Sequence, residues 1–256
     1  MIEIISQNAL YFAVVLVIMV LLFVWAYVTR RMQKDFSTMT WVLIPVAIAI
    51  NLTIGQIVLV LKLPVYLDSI GTVLVGVICG PWAGALTGAL SNIIAGFILD
   101  PGWLPWFPVA AAIGATAGVM ANISFFKNWW KVVVTGFVIA IVATIVGTPI
   151  SIAVFGGISA SGSSIITAFL LETGRSLLAS VLTTNFISEP IDKISTSLLA
   201  FAIIDGLSTR YLARFPRGEN ATVEKGQKYT QLVIALVVVV LLILFGIFVM
   251  PRITGG

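Results

Sequence analysis

Long hydrophobic runs separated by short polar breaks dominate this 256-residue chain. A hydrocarbon core of roughly 30 Å requires about 20 apolar residues per spanning helix. Eight stretches meet or approach that length: residues 9–28, 41–61, 69–80, 81–99, 105–123, 132–155, 191–212 and 232–250, with Gly80 and Pro81 dividing the third from the fourth. A further apolar segment, 165–182, carries Glu172 and Arg175 and reads as a short or interfacial helix. The pattern predicts an all-α integral membrane protein. Bulky Val, Leu, Ile and Phe fill the first and last stretches, whereas Gly, Ala, Ser, Thr and Asn concentrate between them. This contrast predicts a six-helix core over residues 39–216 with one added helix at each end. Residues 1–38 form an anchor helix and cytoplasmic linker, and 217–256 a cytoplasmic tether and C-terminal transmembrane helix.

Composition reinforces the class and removes several chemistries. The chain is 60% hydrophobic and 9% charged, against roughly a quarter charged in a soluble domain. Histidine is absent, which removes the commonest general base and the usual ligand of zinc, copper or haem. The single cysteine, Cys79, can form neither an internal disulfide nor a Cys cluster; without a neighbouring base it reads as a small packing residue. No catalytic residue, metal or cofactor is therefore expected, and nothing supports nucleic-acid binding.

Charge placement predicts topology. With the 29–40 linker cytoplasmic, Arg30, Arg31, Lys34, Lys127, Lys131, Arg210, Arg214, Arg217, Lys225 and Lys228 fall inside. Lys62, Arg175, Lys193 and Arg252 fall outside. This is a positive-inside bias, and it puts both termini outside provided 165–182 does not cross. Trp25, Trp41, Trp82, Trp129 and Trp130 fall at inner edges and Trp103 and Trp106 at an outer edge, as interfacial indoles do. In the first stretch the charges follow the apolar run and no small-residue cleavage site appears, so it reads as a retained anchor rather than a signal peptide.

Small residues at four-residue spacing, Gly80, Gly84 and Gly88, repeated as Gly114 and Gly118, predict close helix packing in lipid. Polar residues inside spans are costly unless paired; Asn51, Thr53, Gln56, Ser91 and Asn92 are of this kind. Asn92 is either a ligand contact or an interhelical hydrogen bond. Three rim loops carry the remaining chemistry: 63–69 with Tyr66 and Asp68, 100–108 with Trp103, Trp106 and three prolines, and 185–193 with Asn185, Glu189, Asp192 and Lys193. Aromatic area with a few orienting polar groups is the usual make-up of a small-molecule site. Asp68 is equally readable as a cap of the following helix, a role Ser69 can share. Glu189, Asp192 and Lys193 read as solvated first-turn charges, and Glu172 with Arg175 as a local pair.

The run Pro64-Val65-Tyr66-Leu67-Asp68-Ser69-Ile70-Gly71-Thr72, then Gly80-Pro81-Trp82-Ala83-Gly84-Ala85 and Ser91-Asn92, resembles the substrate-binding S components of energy-coupling factor transporters, bacterial importers of vitamins and micronutrients. Asp192-Lys193-Ile194 and Arg214-Phe215-Pro216 extend the likeness, which covers residues 41–216. The resemblance implies a six-helix protein of the bacterial cell membrane that captures substrate outside. It would dock on a transmembrane coupling subunit driven by two cytoplasmic ATPases. It implies a substrate site of Tyr66, Asp68, Asn92, Trp103, Trp106, Asn185 and Glu189. The family commonly docks through small residues on the first core helix; the nearest equivalents here are Ala47, Asn51 and Gly55, with Ala49 and Thr53 beside them. The added terminal helices depart from the usual six spans. A membrane ligand sensor built on a related core and a standalone carrier are the alternatives.

Overall fold

A computed structural model describes residues 32–61, 63, 65–221 and 237. The first predicted stretch, and the eighth apart from residue 237, lie outside the described residues, as do Lys62 and Pro64. Described elements are α1 (Thr38–Val60), α2 (Ile70–Cys79), α3 (Pro81–Ile98), a 3-10 helix (Pro101–Trp106), α4 (Phe107–Asn122), α5 (Trp129–Phe155), α6 (Ser164–Glu172), α7 (Leu177–Gly206), α8 (Thr209–Leu212) and a final 3-10 turn (Gly218–Ala221). Among the described residues, four segments are long and apolar enough to cross a membrane: α1, α3, the 3-10 helix with α4, and α5. The described chain is all-helical, and it reads as a multi-pass membrane protein.

Local sequence explains the helix ends. The Ser37 hydroxyl accepts from the Thr40 N–H at 3.2 Å and the Thr40 hydroxyl accepts from the Ser37 N–H at 3.3 Å, a reciprocal cap for two N–H groups that lack helical partners. Gly80 has φ +121°, a conformation open mainly to glycine, and Pro81 begins α3 where its missing N–H costs nothing. Gly156 ends α5 at φ +61°, a left-handed cap.

The bundle turns apolar side chains outward as well as inward. On α5, Val134, Phe137, Ile141 and Ile145 are exposed at helical spacing, the face that meets lipid. Gly136, Ala140, Ala143, Gly147 and Ser151 line its buried face. Backbones touch where glycines meet: a Cβ on Gly84 would stand 2.6 Å from the Gly114 carbonyl oxygen and 2.6 Å from the Gly76 Cα. α2, α3 and α4 therefore pack at backbone distance, as the glycine spacing predicts. Gly136 does the same for α5 against the Lys193–Ile194 backbone of α7.

Three expectations change. Stretch 69–80 is not a full crossing: α2 has ten residues, all buried, and at 1.5 Å per residue it covers about 15 Å. The predicted seventh stretch, 191–212, is the second half of a longer helix, α7, which starts at Leu177 and ends at Gly206. The segment 165–182 is correspondingly two pieces, α6 and the first turns of α7, separated at Gly174 with φ +84°. Glu172 and Arg175 at this break are both exposed and do not pair with each other.

The two ends of the bundle differ in character. One gathers residues 33–37, the Gly80–Pro81 turn, the α4–α5 connection and residues 209–221, where Arg217 bonds Asp35 and Asn122. Exposed Trp41, Trp82 and Trp130 ring this end, together with Lys34, Lys127, Lys131, Arg210 and Arg214 in its connections. The other end gathers the 61–69 loop, the Pro101–Trp106 helix and residues 156–176, and it encloses a cavity.

Candidate functional site

The cavity measures about 170 Å³. Tyr66, Asp68, Asn92, Trp103, Trp106, Asn185 and Glu189 all line it, so four separate parts of the chain that the sequence singled out come together at one place. Each is positioned by a local cause.

On α7, Asn185, Glu189 and Lys193 recur every four residues, which sets them on one helical face. All three line the cavity. Asn185 Nδ2 donates to Thr148 Oγ1 of α5 at 3.0 Å. The first-turn reading of Glu189, Asp192 and Lys193 is corrected here, because they sit in the middle of a 30-residue helix. Asp192 is fully buried and Lys193 is 3% exposed. A buried charge survives only when paired and hydrogen-bonded. Asp192 meets that condition through Lys193 Nζ at 2.5 Å on one oxygen, and through the Tyr66 and Leu67 N–H groups at 2.8 Å and 2.7 Å on the other.

Those two successive N–H groups converge on one carboxylate oxygen, an anion-binding backbone arrangement, and Leu67 is held at φ +50° to make it. A left-handed leucine costs about 1–2 kcal/mol, which the buried carboxylate's bonds offset. The loop is thereby pinned to α7, and the pin aims its side chains. Tyr66 hydroxyl bonds Ser163 Oγ at 2.6 Å, and the Lys193 ammonium lies 5.6 Å from its ring centre. Burial, with the Glu189 carboxylate adding to it, pushes the Tyr66 phenol up to about 12.

Asp68 does not cap α2, and neither does Ser69, which makes no side-chain cap bond. Instead Asp68 Oδ1 accepts the Ser69 hydroxyl at 2.8 Å and stands 3.9 Å from Lys193 Nζ. Glu189 Oε2 is equally 3.9 Å from Lys193 Nζ, too far for a hydrogen bond. Three carboxylates therefore surround one ammonium, and two of them, Asp68 and Glu189, belong to the cavity wall.

Two indoles also line the cavity. Asp100 caps the short helix by accepting the Gly102 N–H at 2.6 Å, which presents Trp103 and Trp106 inward. The Trp103 ring lies over Gly55, where an added Cβ would stand 2.9 Å from its edge. Trp106 stacks on Phe155 with centroids 5.4 Å apart, and its carbonyl accepts Asn92 Nδ2 at 3.3 Å. Asn92 thus lines the cavity and makes an interhelical bond at once.

Ala47, Asn51 and Gly55, expected as a docking face for a coupling subunit, are buried within the bundle. Ala47 and Asn51 meet α2, while Gly55 lies against Trp103 and Asp68 at the cavity. Asn51 donates to Thr72 Oγ1 at 2.8 Å and Ser91 Oγ at 2.9 Å, and accepts the Gly71 N–H at 2.7 Å. Its polar atoms are spent inside the bundle. Cys79 is buried in the core, as a packing residue would be.

Sequence reasoning missed two contributors. The serines at 159, 161, 163 and 164 join through hydroxyl contacts of 3.0–3.2 Å beside Tyr66, and all four line the cavity. Their density in so short a stretch was a visible signal. Lys193 as a wall residue was legible in the four-residue spacing from Asn185, once a continuous helix is drawn through 177–206.

Comparison with protein-family models, with characterised proteins and with solved structures finds no match.

Proposed function

We propose that this protein is the substrate-capturing membrane subunit of an ATP-driven vitamin or micronutrient importer, an S component with no catalytic chemistry of its own. The observation that carries the reading is the convergence of Tyr66, Asp68, Asn92, Trp103, Trp106, Asn185 and Glu189 on one cavity, at the bundle end opposite the basic connections. Aromatic area on one side and fixed polar groups on the other are how a small-molecule site divides its work. Under the positive-inside rule the basic end is cytoplasmic, so the cavity faces outward and both termini are external.

In this reading α1 to α5 and α7 are the six core helices, in a bacterial cell membrane, with stretches 9–28 and 232–250 added at the flanks. The transmembrane coupling subunit and its two ATPases supply the energy for entry. A contact on α1 would use its outward side, where Ala49 and Thr53 are exposed, rather than the buried face of Asn51.

One observation favours a second reading. The group of Asp68 and Glu189 with the buried Asp192 and Lys193 is the kind of ionisable cluster a standalone ion-coupled carrier uses. The test is purification of the full chain from its own membranes under mild detergent, with uptake measured before and after ATP depletion. Co-purifying ATPases and ATP-dependent uptake are expected. Uptake that persists without ATP, with no ATPase recovered, overturns the importer in favour of the carrier.

A further inference from the structure

We propose that the cavity selects a small planar organic cation, an aromatic ring bearing an amidinium- or ammonium-type group. The inference deepens the substrate-capture reading and rests on the cavity being that site. The charge count of the wall carries it. Asp68, Glu189 and Asp192 surround Lys193, which is the single described cation lining the cavity. Its ammonium is already engaged by Asp192 at 2.5 Å and Ser69 at 3.3 Å, so its field is answered from inside the protein and offers little to an anionic ligand.

Two carboxylates remain in excess. Glu189 Oε2 is buried and accepts no hydrogen bond from the described residues, and Asp68 accepts one hydroxyl. A buried acceptor without a donor is costly, and a ligand N–H carrying positive charge is the partner that satisfies it best. The aromatic lining agrees, since Trp103 and Trp106 border the same cavity and indole rings attract cations. Among the described residues no group of three or more acidic, His or Cys side chains is arranged to hold a metal ion, so the fitting cation is organic.

Three isosteric probes test the sign: benzamidinium, neutral benzamide and anionic benzoate, titrated against purified full-length protein in lipid nanodiscs. Benzamidinium is expected to bind at least about tenfold tighter than benzamide, because charge-assisted bonds are roughly twice as strong as neutral ones, with benzoate weakest. Glu189→Gln should cut the benzamidinium-to-benzamide ratio about fivefold or more. Asp68→Asn, at a rim position, provides the same readout if the Glu189 variant does not fold. Benzoate binding as tightly as benzamidinium, a ratio unmoved in the folded variants, or no saturable benzamidinium binding at millimolar concentration overturns the proposal. ATPase co-purification is read separately: its presence with a benzoate preference leaves the importer standing and removes the cation, and its absence with a cation preference does the reverse.

Discussion

Arg217 and Asp35 lie 182 positions apart, and they meet as an ion pair: Nε and Nη2 of the guanidinium donate to one carboxylate oxygen at 3.0 Å and 2.8 Å. The second oxygen of Asp35 accepts the Trp82 N–H at 3.1 Å, which ties the pair to the start of α3. Nη1 of Arg217 reaches Asn122 at 2.9 Å, and its own N–H donates to the Ile78 carbonyl at 3.0 Å. One residue thus straps the chain before α1, the α2–α3 turn, the end of α4 and the segment after α8.

Removing one partner of a buried pair leaves an uncompensated charge, at about 3–5 kcal/mol. Asp35 is fully buried while the Arg217 side chain is 27% exposed, so Arg217→Ala is expected near about 3 kcal/mol. Thermal unfolding of purified protein in detergent measures it. A midpoint equal to wild type would show that solvent replaces the guanidinium freely.

Asn51 anchors a second network. Asn51→Leu deprives Thr72, Ser91 and the Gly71 N–H of their partner inside the bundle, and each orphaned buried group costs about 1–3 kcal/mol. Low yield of folded protein is expected, whereas Thr53→Leu, on the exposed side of the same helix, should leave yield unchanged. Fluorescence size-exclusion profiles of the two variants decide it.

Two glycine substitutions should part company. Gly84→Ala forces a methyl against the Gly114 carbonyl and the Gly76 backbone, contacts that cannot rotate away. Overpacking of this kind costs about 1–3 kcal/mol. Gly206→Ala, at the end of α7 with nothing within 4 Å of the added carbon, should be neutral or gain up to about 1 kcal/mol. Equal unfolding midpoints for the two variants would deny the backbone contact between α3 and α4.

Tyr66 makes a pH prediction. Its phenol is raised to about 12, so the folded state holds the proton more tightly than the unfolded chain, whose tyrosines titrate near about 10. The associated stability is complete below about 10 and is lost as pH rises towards about 12. A tyrosinate absorbance titration should show a late-ionising phenol that is missing in Tyr66→Phe. A titration of the wild type with no late phase would mean that the phenol is solvated.

Much of the architecture was legible before any coordinate. Hydropathy runs located α1, α3, α4 and α5 within a few residues, Gly80–Pro81 marked the turn between α2 and α3, and the four-residue glycine spacing announced where backbones touch. Segment 177–206 was misdrawn because Glu189, Asp192 and Lys193 lower its hydropathy whether they are solvated or paired. The pairing partners, Tyr66 and Leu67, are 126 and 125 positions away.

Periodicity and composition are local quantities, and they determined the class of the protein, four of its apolar helices, the small-residue seams and which segments carry unusual chemistry. Tertiary structure alone decided which side of α1 Asn51 faces, that Lys193 is answered by Asp192, and that Arg217 closes on Asp35. The physical reason is that the cost of a charge or amide in a membrane bundle depends on its partner. That partner is fixed by the three-dimensional path of the chain rather than by neighbours in sequence.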